Sequence, residues 1–210
     1  MTNYLHKNDL PDGIDFGKSV AVDTETQGLS LVRDKLCLVQ LSSGDGDAHI
    51  VQMDRSSYDA PNLKALMADT AVEKIFHFAR FDLAILKRDL GVDVTPVYCT
   101  KVASGLVRTY TDSHGLKNLC SELISVNLSK QQQSSDWAAD NLTQDQIDYA
   151  ASDVLYLHQL QRILTARLMR EDRMALAQAC FDFLPARADL DLGGWDGVDI
   201  FSHSMRRPKD

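Results

Sequence analysis

A chain of 210 residues, 44% hydrophobic and 25% charged, has the profile of a soluble globular protein with room for one sizeable core. No apolar run approaches bilayer-spanning length, so no membrane partner is expected; the opening MTNYLHKNDLPDG lacks the apolar stretch of a secretory leader, and a cytoplasmic location is expected. The net charge of −8, from 22 Lys and Arg against 30 Asp and Glu, argues against tracking along a long polyanion and leans towards a short one if the substrate is RNA.

Residues 1–18 read as an irregular arm. Val20–Glu25 reads as a strand leading out of the core, and Lys35–Leu41 and His49–Met53 as two more. The turn-rich SSGDGDA between the last two predicts a hairpin; Asp45-Gly46-Asp47 within it is a turn rather than a calcium loop, because the later ligands of such a loop are missing. Pro61–Ala68 predicts a short helix with Pro in its first turn. Glu73–Phe78 predicts a strand, and Ala79–Leu90 a helix stopped by Gly91. A short strand over Val94–Val97 and helices over Thr100–Arg108 and Leu116–Leu123 follow, then the polar loop Ser129–Trp137. Thr143-Gln144-Asp145-Gln146 fits a capping box that opens a long helix to about Leu168. A further helix covers Asp172–Leu184. The segment 185–210 is a tail in which Leu190, Leu192, Trp195, Ile200 and Phe201 offer anchors for docking on the chain's own core or on another protomer, and its final MRRPKD is expected to be disordered. Strands followed by alternating helices and strands imply a mixed α/β layer structure over 19–184. Cys37, Cys99, Cys120 and Cys180 form no C-x-x-C pair, so they read as reduced thiols rather than a zinc site.

The chemistry concentrates in five residues. Asp23 and Glu25 are two apart, which puts both on one face of a strand. Taken alone they could be solvated acids at a strand end. Asp82 sits where a helix begins, a position that the helix dipole favours for any acid. Tyr149 and Asp153 are four apart and share a helix face, as they also would on an ordinary amphipathic helix. Converging carboxylates repel one another and are costly to desolvate unless divalent cations sit between them. Such a cluster without a phosphate-cradling glycine loop suggests two-metal hydrolysis of a phosphodiester.

The order and flanks of these motifs resemble the DEDD superfamily of 3′→5′ exonucleases, in its tyrosine subclass: Asp23-Thr24-Glu25, then Phe81-Asp82, then Tyr149-x-x-x-Asp153. Lys117-Asn118-Leu119 after a glycine, Ser135-Asp136-Trp137 and Leu142-Thr143 resemble the ribonuclease D branch, over about Val20 to Leu164. HKNDLP, SKQQQSSDWAA and DLGGWD resemble its compact bacterial nanoRNase C branch. The resemblance implies a ribonuclease H-like exonuclease fold with a mixed central sheet flanked by helices. It implies two Mg²⁺ or Mn²⁺ ions held by Asp23, Glu25, Asp82 and Asp153, with Tyr149 orienting the attacking water. It implies very short RNA, dinucleotides especially, as substrate, nucleoside 5′-monophosphates as products, and a homo-oligomer in the form of a ring of eight.

Substrate contacts are read more broadly. Thr24 lies inside the first motif. Leu29 either wedges between bases, as the resemblance implies, or closes a strand-end turn. His77 is a substrate hydrogen-bonder or a core histidine. Lys130, Gln131, Gln132, Gln133, Ser134 and Ser135 either cap the far phosphate of a short substrate or form a solvated loop. Trp137 reads as a packing anchor, and Arg108 and Tyr110 as contacts to substrate or to a neighbouring subunit. The stretch beyond Leu168 is too short for the extra helical domains of full-length ribonuclease D, which disfavours a transfer-RNA-processing role. Two rival functions are trimming of longer RNA or DNA ends and a catalytically silent RNA-binding or scaffold role; the second predicts lost acidic ligands, and all are present.

Overall fold

The computed structural model describes residues 2–129, 131–203 and 205. Its strands are β1 (Asn3–Lys7), β2 (Ser19–Thr26), β3 (Leu36–Ser42), β4 (Ala48–Gln52), β5 (Glu73–Phe76) and β6 (Val97–Cys99). They form one mixed sheet in the order β1-β4-β3-β2-β5-β6. The strand β3 runs antiparallel to both β2 and β4, while β5 joins β2, β6 joins β5 and β1 joins β4 in parallel. The middle strand β3 is buried at every position, so its sequence LCLVQLS is near-continuously apolar rather than alternating. The hairpin between β3 and β4 turns on Gly44 and Gly46, at φ +81° and +100°, where a side chain would be strained.

The helices are α1 (Pro61–Ala68), α2 (Ala79–Leu90), α3 (Thr100–Val107), α4 (Leu116–Ile124), α5 (Gln144–Leu155), α6 (Leu157–Arg170) and α7 (Met174–Leu190). The expected capping box opens α5: the Thr143 hydroxyl accepts from the Gln146 N–H, and the Gln146 side chain accepts from the Thr143 N–H. Gly91 closes α2 in the left-handed region. All cysteines are unpaired thiols.

Four expectations need correction. The amino-terminal arm is not wholly irregular: Asn3–Lys7 pairs with β4 and extends the sheet edge. The information for β1 lies in the open edge of β4 and in the stacking of Tyr4 on His49, with centroids 4.9 Å apart, rather than in alternation of its own residues. The strand expected at Val94–Val97 forms at Val97–Cys99. The long helix breaks at Tyr156 into α5 and α6 because the chain changes packing partner there: α5 lies on β2, β3 and β4, whereas α6 lies on β5, α3 and α4. Finally, α7 runs through Pro185 rather than stopping before it. Its buried stripe Ala177, Phe181, Leu184 and Ala188 continues across the proline, and that burial offsets the roughly 3 kcal/mol that an interior proline costs.

Beyond α7 the tail folds back on its own chain. Asp191, 2% exposed, accepts from Arg80 of α2 and from Arg187 of α7. Val198 is buried and Leu192 packs on the core, while Trp195 and Phe201 remain largely exposed. Of the MRRPKD end, all but Met205 lies outside the described residues.

Candidate active site

The site forms where β2 outruns its neighbour. β5 pairs only with Ser19–Ala21, so the outgoing half of β2 has no partner on that side. The chain leaves β5, turns at Phe78 in the left-handed region (φ +68°) and enters α2, whose first turn carries Asp82 into the gap. There the Thr24 hydroxyl donates to Asp82 at 2.6 Å. Asp23 and Glu25 point from the opposite face of β2 towards α5, which brings Asp153 to them. One carboxylate oxygen from each of Asp23, Glu25 and Asp153 lies within 4.8 Å of the others. Among the described residues this is the one such grouping of three or more His, Cys, Asp or Glu side chains.

The electrostatics follow from that geometry. Burial raises Asp23 well above the usual carboxylate range, and Asp82, Asp153 and Glu25 raise it further. Burial, then Asp153 and Asp82, push Glu25 up to about 9. Asp82 and Asp153 are each pushed up to about 7, burial again the main cause. Their partners moderate the shift: the Thr24 hydroxyl and backbone N–H groups favour the charged form of Asp82, and the Tyr149 hydroxyl does the same for Asp153. The Tyr149 hydroxyl is itself pushed far above its ordinary value, first by burial and then by the surrounding carboxylates, so it is a neutral phenol.

An all-oxygen set of carboxylates at this spacing, each costly to ionise alone, fits hard divalent cations such as Mg²⁺ or Mn²⁺. The donor set contains no thiolate or imidazole, so it does not have the chemistry of a zinc site.

The acids line a cleft of about 530 Å³ shared with Thr24, Leu29, His77, Gln133 and Tyr149. Leu29 stands at its mouth, 85% exposed. The Thr100 hydroxyl donates to the Phe76 carbonyl at 3.1 Å and therefore accepts from His77 Nδ1 at 2.9 Å. That leaves Nε2 as an acceptor, and burial with Lys101 nearby pushes the ring down to about 3, so it is neutral at every physiological pH. Ser134 and Ser135 do not line the cleft; Ser135 instead donates to Gln132 Oε1 at 2.5 Å. Lys130 lies outside the described residues. Trp137, 2% exposed, packs on the Tyr149 ring with centroids 5.9 Å apart.

Arg108 corrects an expectation: it is fully buried and ion-paired with Glu122, with Ser104 Oγ and the Ser113 carbonyl as further acceptors, so it reaches neither substrate nor neighbour. Tyr110 is exposed and donates to the same Glu122. Lys101 and Phe78 are among the cleft residues that the sequence reading did not single out. Lys101, at the start of α3, holds its ammonium 4.0 Å from the Phe78 ring centroid. Neither residue sits in a motif; only the topology brings them to the cleft.

The sequence profile of the 3′-5′ exonuclease family matches residues 8–169. Ribonuclease D of Acidiphilium cryptum is 37% identical over 155 residues, which is 74% of this chain and 39% of that protein. The chain thus spans about two fifths to just over half of the length of the curated relatives it matches. Among solved structures, Brucella melitensis NrnC with bound Mg²⁺ is 54% identical, with a TM-score of 0.93 over 97% of this chain and 100% of the other. Brucella melitensis NrnC bound to pGG is 55% identical, with a TM-score of 0.94 over the same shares. Escherichia coli RNase D, an exoribonuclease involved in structured RNA processing, is 25% identical, with a TM-score of 0.71 over 81% of this chain and 45% of the other. The expected ribonuclease H-like exonuclease architecture is therefore the one observed. With its acids gathered at the end of β2 and its profile matched across most of its length, the chain belongs to the 3′→5′ exonuclease family.

Proposed function

We propose that this chain is a divalent-cation-dependent 3′→5′ exoribonuclease that hydrolyses very short RNA, dinucleotides foremost, to nucleoside 5′-monophosphates. The observation that carries the reading is the gathering of Asp23, Glu25 and Asp153 within 4.8 Å of one another, with Asp82 from a third element lining the same cleft of small-ligand size. Likeness to a protein bound to pGG supports the short substrate.

Asp23, Glu25, Asp82 and Asp153 would hold two cations, Mg²⁺ or Mn²⁺. When bound, the cations supply Lewis acidity at the scissile phosphate and its water nucleophile. Every other role falls to the chain. Thr24 fixes one Asp82 oxygen and so aims the other. Tyr149, a neutral phenol, orients the attacking water by hydrogen bonding rather than by taking its proton. Leu29 is placed to wedge between bases at the cleft mouth. His77 Nε2, an acceptor, suits a ribose hydroxyl. Lys101 and Lys117 bring positive charge to an otherwise acidic cleft, and Gln133 reaches it from the 131–142 loop.

A homo-oligomer, in the ring of eight that the resemblance implies, is part of this reading; exposed apolar side chains such as Val32 (95%) and Phe201 (76%) supply contact surface. Sedimentation at micromolar concentration tests it, and a species of 23.4 kDa overturns it. Unpaired cysteines suit the reducing cytoplasm, where fractionation of cells would find the protein. The substrate reading is tested with end-labelled RNAs of graded length: a dinucleotide is consumed far faster than a 20-mer. Equal rates would assign the chain to general 3′-end trimming instead.

A further inference from the structure

Gln40 sits in the middle of β3, fully buried, and neither its Oε1 nor its Nε2 has a hydrogen-bond partner among the described residues. A buried polar group left unsatisfied costs about 1–3 kcal/mol. The fold itself asks for an apolar side chain here, as its flanking residues Leu38, Val39 and Leu41 show. Something other than packing holds this position.

The strand register names the candidate. Gln40 is the cross-strand partner of Asp23. Side chains opposed in an antiparallel pair stand on the same face with Cβ atoms about 4.5–5.5 Å apart, a span that an extended glutamine covers. Asp23 is the complementary case. Asp82 accepts the Thr24 hydroxyl at 2.6 Å, and the Tyr149 hydroxyl, one helical turn away, favours the charged form of Asp153. Asp23 receives no hydrogen bond from the described residues, although it is the carboxylate on which all the other three press. An acceptor without a donor therefore faces an amide with two N–H groups and no acceptor. The helix α5 packs on β2 and β3 here, and Gln40 is fully buried, so bulk water does not reach its amide, whereas half-buried Asp23 opens to the cleft on its outer side only.

We propose that Gln40 is a positioning residue for Asp23: in the cation-loaded state its amide N–H donates to the inner carboxylate oxygen of Asp23, directly or through one buried water, and so fixes the outer oxygen towards the cation. The inference rests on the reading of Asp23 as a cation ligand. A positioning amide of this kind explains why an unsatisfied polar group persists beneath an active centre: function retains it at the expense of stability.

The test compares Gln40→Met, Asp23→Asn and the double variant with the wild type. The readouts are the melting temperature without divalent cations, Mn²⁺ affinity by calorimetry, and kcat on a dinucleotide. Gln40→Met breaks no hydrogen bond of the metal-free fold, so it melts at or above the wild type. It binds Mn²⁺ about tenfold more weakly, the equivalent of one net hydrogen bond of about 1.4 kcal/mol, and kcat falls with it. In the Asp23→Asn background the same change adds no further loss of affinity. A sharp drop in metal-free melting temperature for Gln40→Met would make the amide structural and overturn the proposal. So would unchanged Mn²⁺ affinity, or a loss that adds fully to that of Asp23→Asn. The reading of the site fails separately, if Asp23→Asn by itself leaves Mn²⁺ binding intact.

Discussion

The Thr24 hydroxyl donates to a carboxylate oxygen of Asp82 at 2.6 Å, joining the central strand to the first turn of α2. Thr24 is only 7% exposed, so this bond is shielded from water. It favours the charged form of an acid that burial pushes the other way. Thr24→Val keeps the shape and removes the donor. We expect kcat/KM at a fixed, sub-saturating Mn²⁺ concentration to fall about tenfold, the worth of one hydrogen bond to a charged group. Excess Mn²⁺ should recover part of the loss, and Thr24→Ser should retain most of the activity. A Thr24→Val enzyme with wild-type cation dependence would detach this bond from the chemistry.

The acids at the end of β2 set stability against function. In the metal-free protein they are desolvated and mutually repulsive. Asp23→Asn cannot ionise and so escapes this penalty, and at a pH where the wild-type acids ionise its metal-free melting temperature should exceed that of the wild type. Saturating Mn²⁺ or Mg²⁺, at about a hundred times Kd, should raise the wild-type melting temperature by roughly 5–10 °C. The variant should gain almost nothing and hydrolyse nothing. Calorimetric scans with and without cation decide this, and an equal rise in both proteins would remove Asp23 from the site.

Far from the cleft, Lys74 of β5 is fully buried, and its ammonium donates to the carbonyls of Asp69 and Thr95, with the Asp69 carboxylate only partly offsetting its burial. Burial pushes it down to about 8 from 10.5. Between those two values the unfolded chain holds a proton that the folded chain has released, so folding becomes more favourable as pH rises through this window. Measured against Lys74→Met by denaturant titration, wild-type stability should climb from pH 8 to pH 10 relative to the variant. A flat difference would mean that the ammonium finds solvent that the packing denies it.

The legible parts of the sequence were those with local causes. The box Thr143–Gln146, the stop at Gly91 and the strand-end pair Asp23 and Glu25 all appear where their own residues predict them. The distant acid Asp82 could be joined to that pair only through motif order, because the gap beside β2 that admits it is a property of sheet topology. The same limit hid Lys101 and Phe78, which carry no motif. Arg108 read as a contact to substrate or to a neighbouring subunit because its partner, Glu122, lies fourteen residues on, in another helix. Pro185 read as a helix stop because the stripe that overrides it becomes visible only once α7 has something to pack against.

Tyr149 offers the sharpest test of mechanism. Its hydroxyl meets Asp153 one helical turn away, and its ring leans on buried Trp137. Burial and three neighbouring carboxylates hold the phenol neutral, which leaves it a donor and an acceptor but no base. Tyr149→Phe keeps the ring contact and deletes only the oxygen. The fold should survive with its melting temperature within a few degrees, since a net hydrogen bond is worth about 0.5–1.5 kcal/mol. A misplaced nucleophile typically costs about a hundredfold, and that loss should fall on kcat with KM nearly unchanged. The discriminating readout is the pH profile. If Tyr149 positions the water, the slow variant should keep the same dependence of kcat on pH as the wild type. If it removed the proton, the alkaline limb of that dependence would change shape when the hydroxyl is deleted, and the positioning role would have to be abandoned.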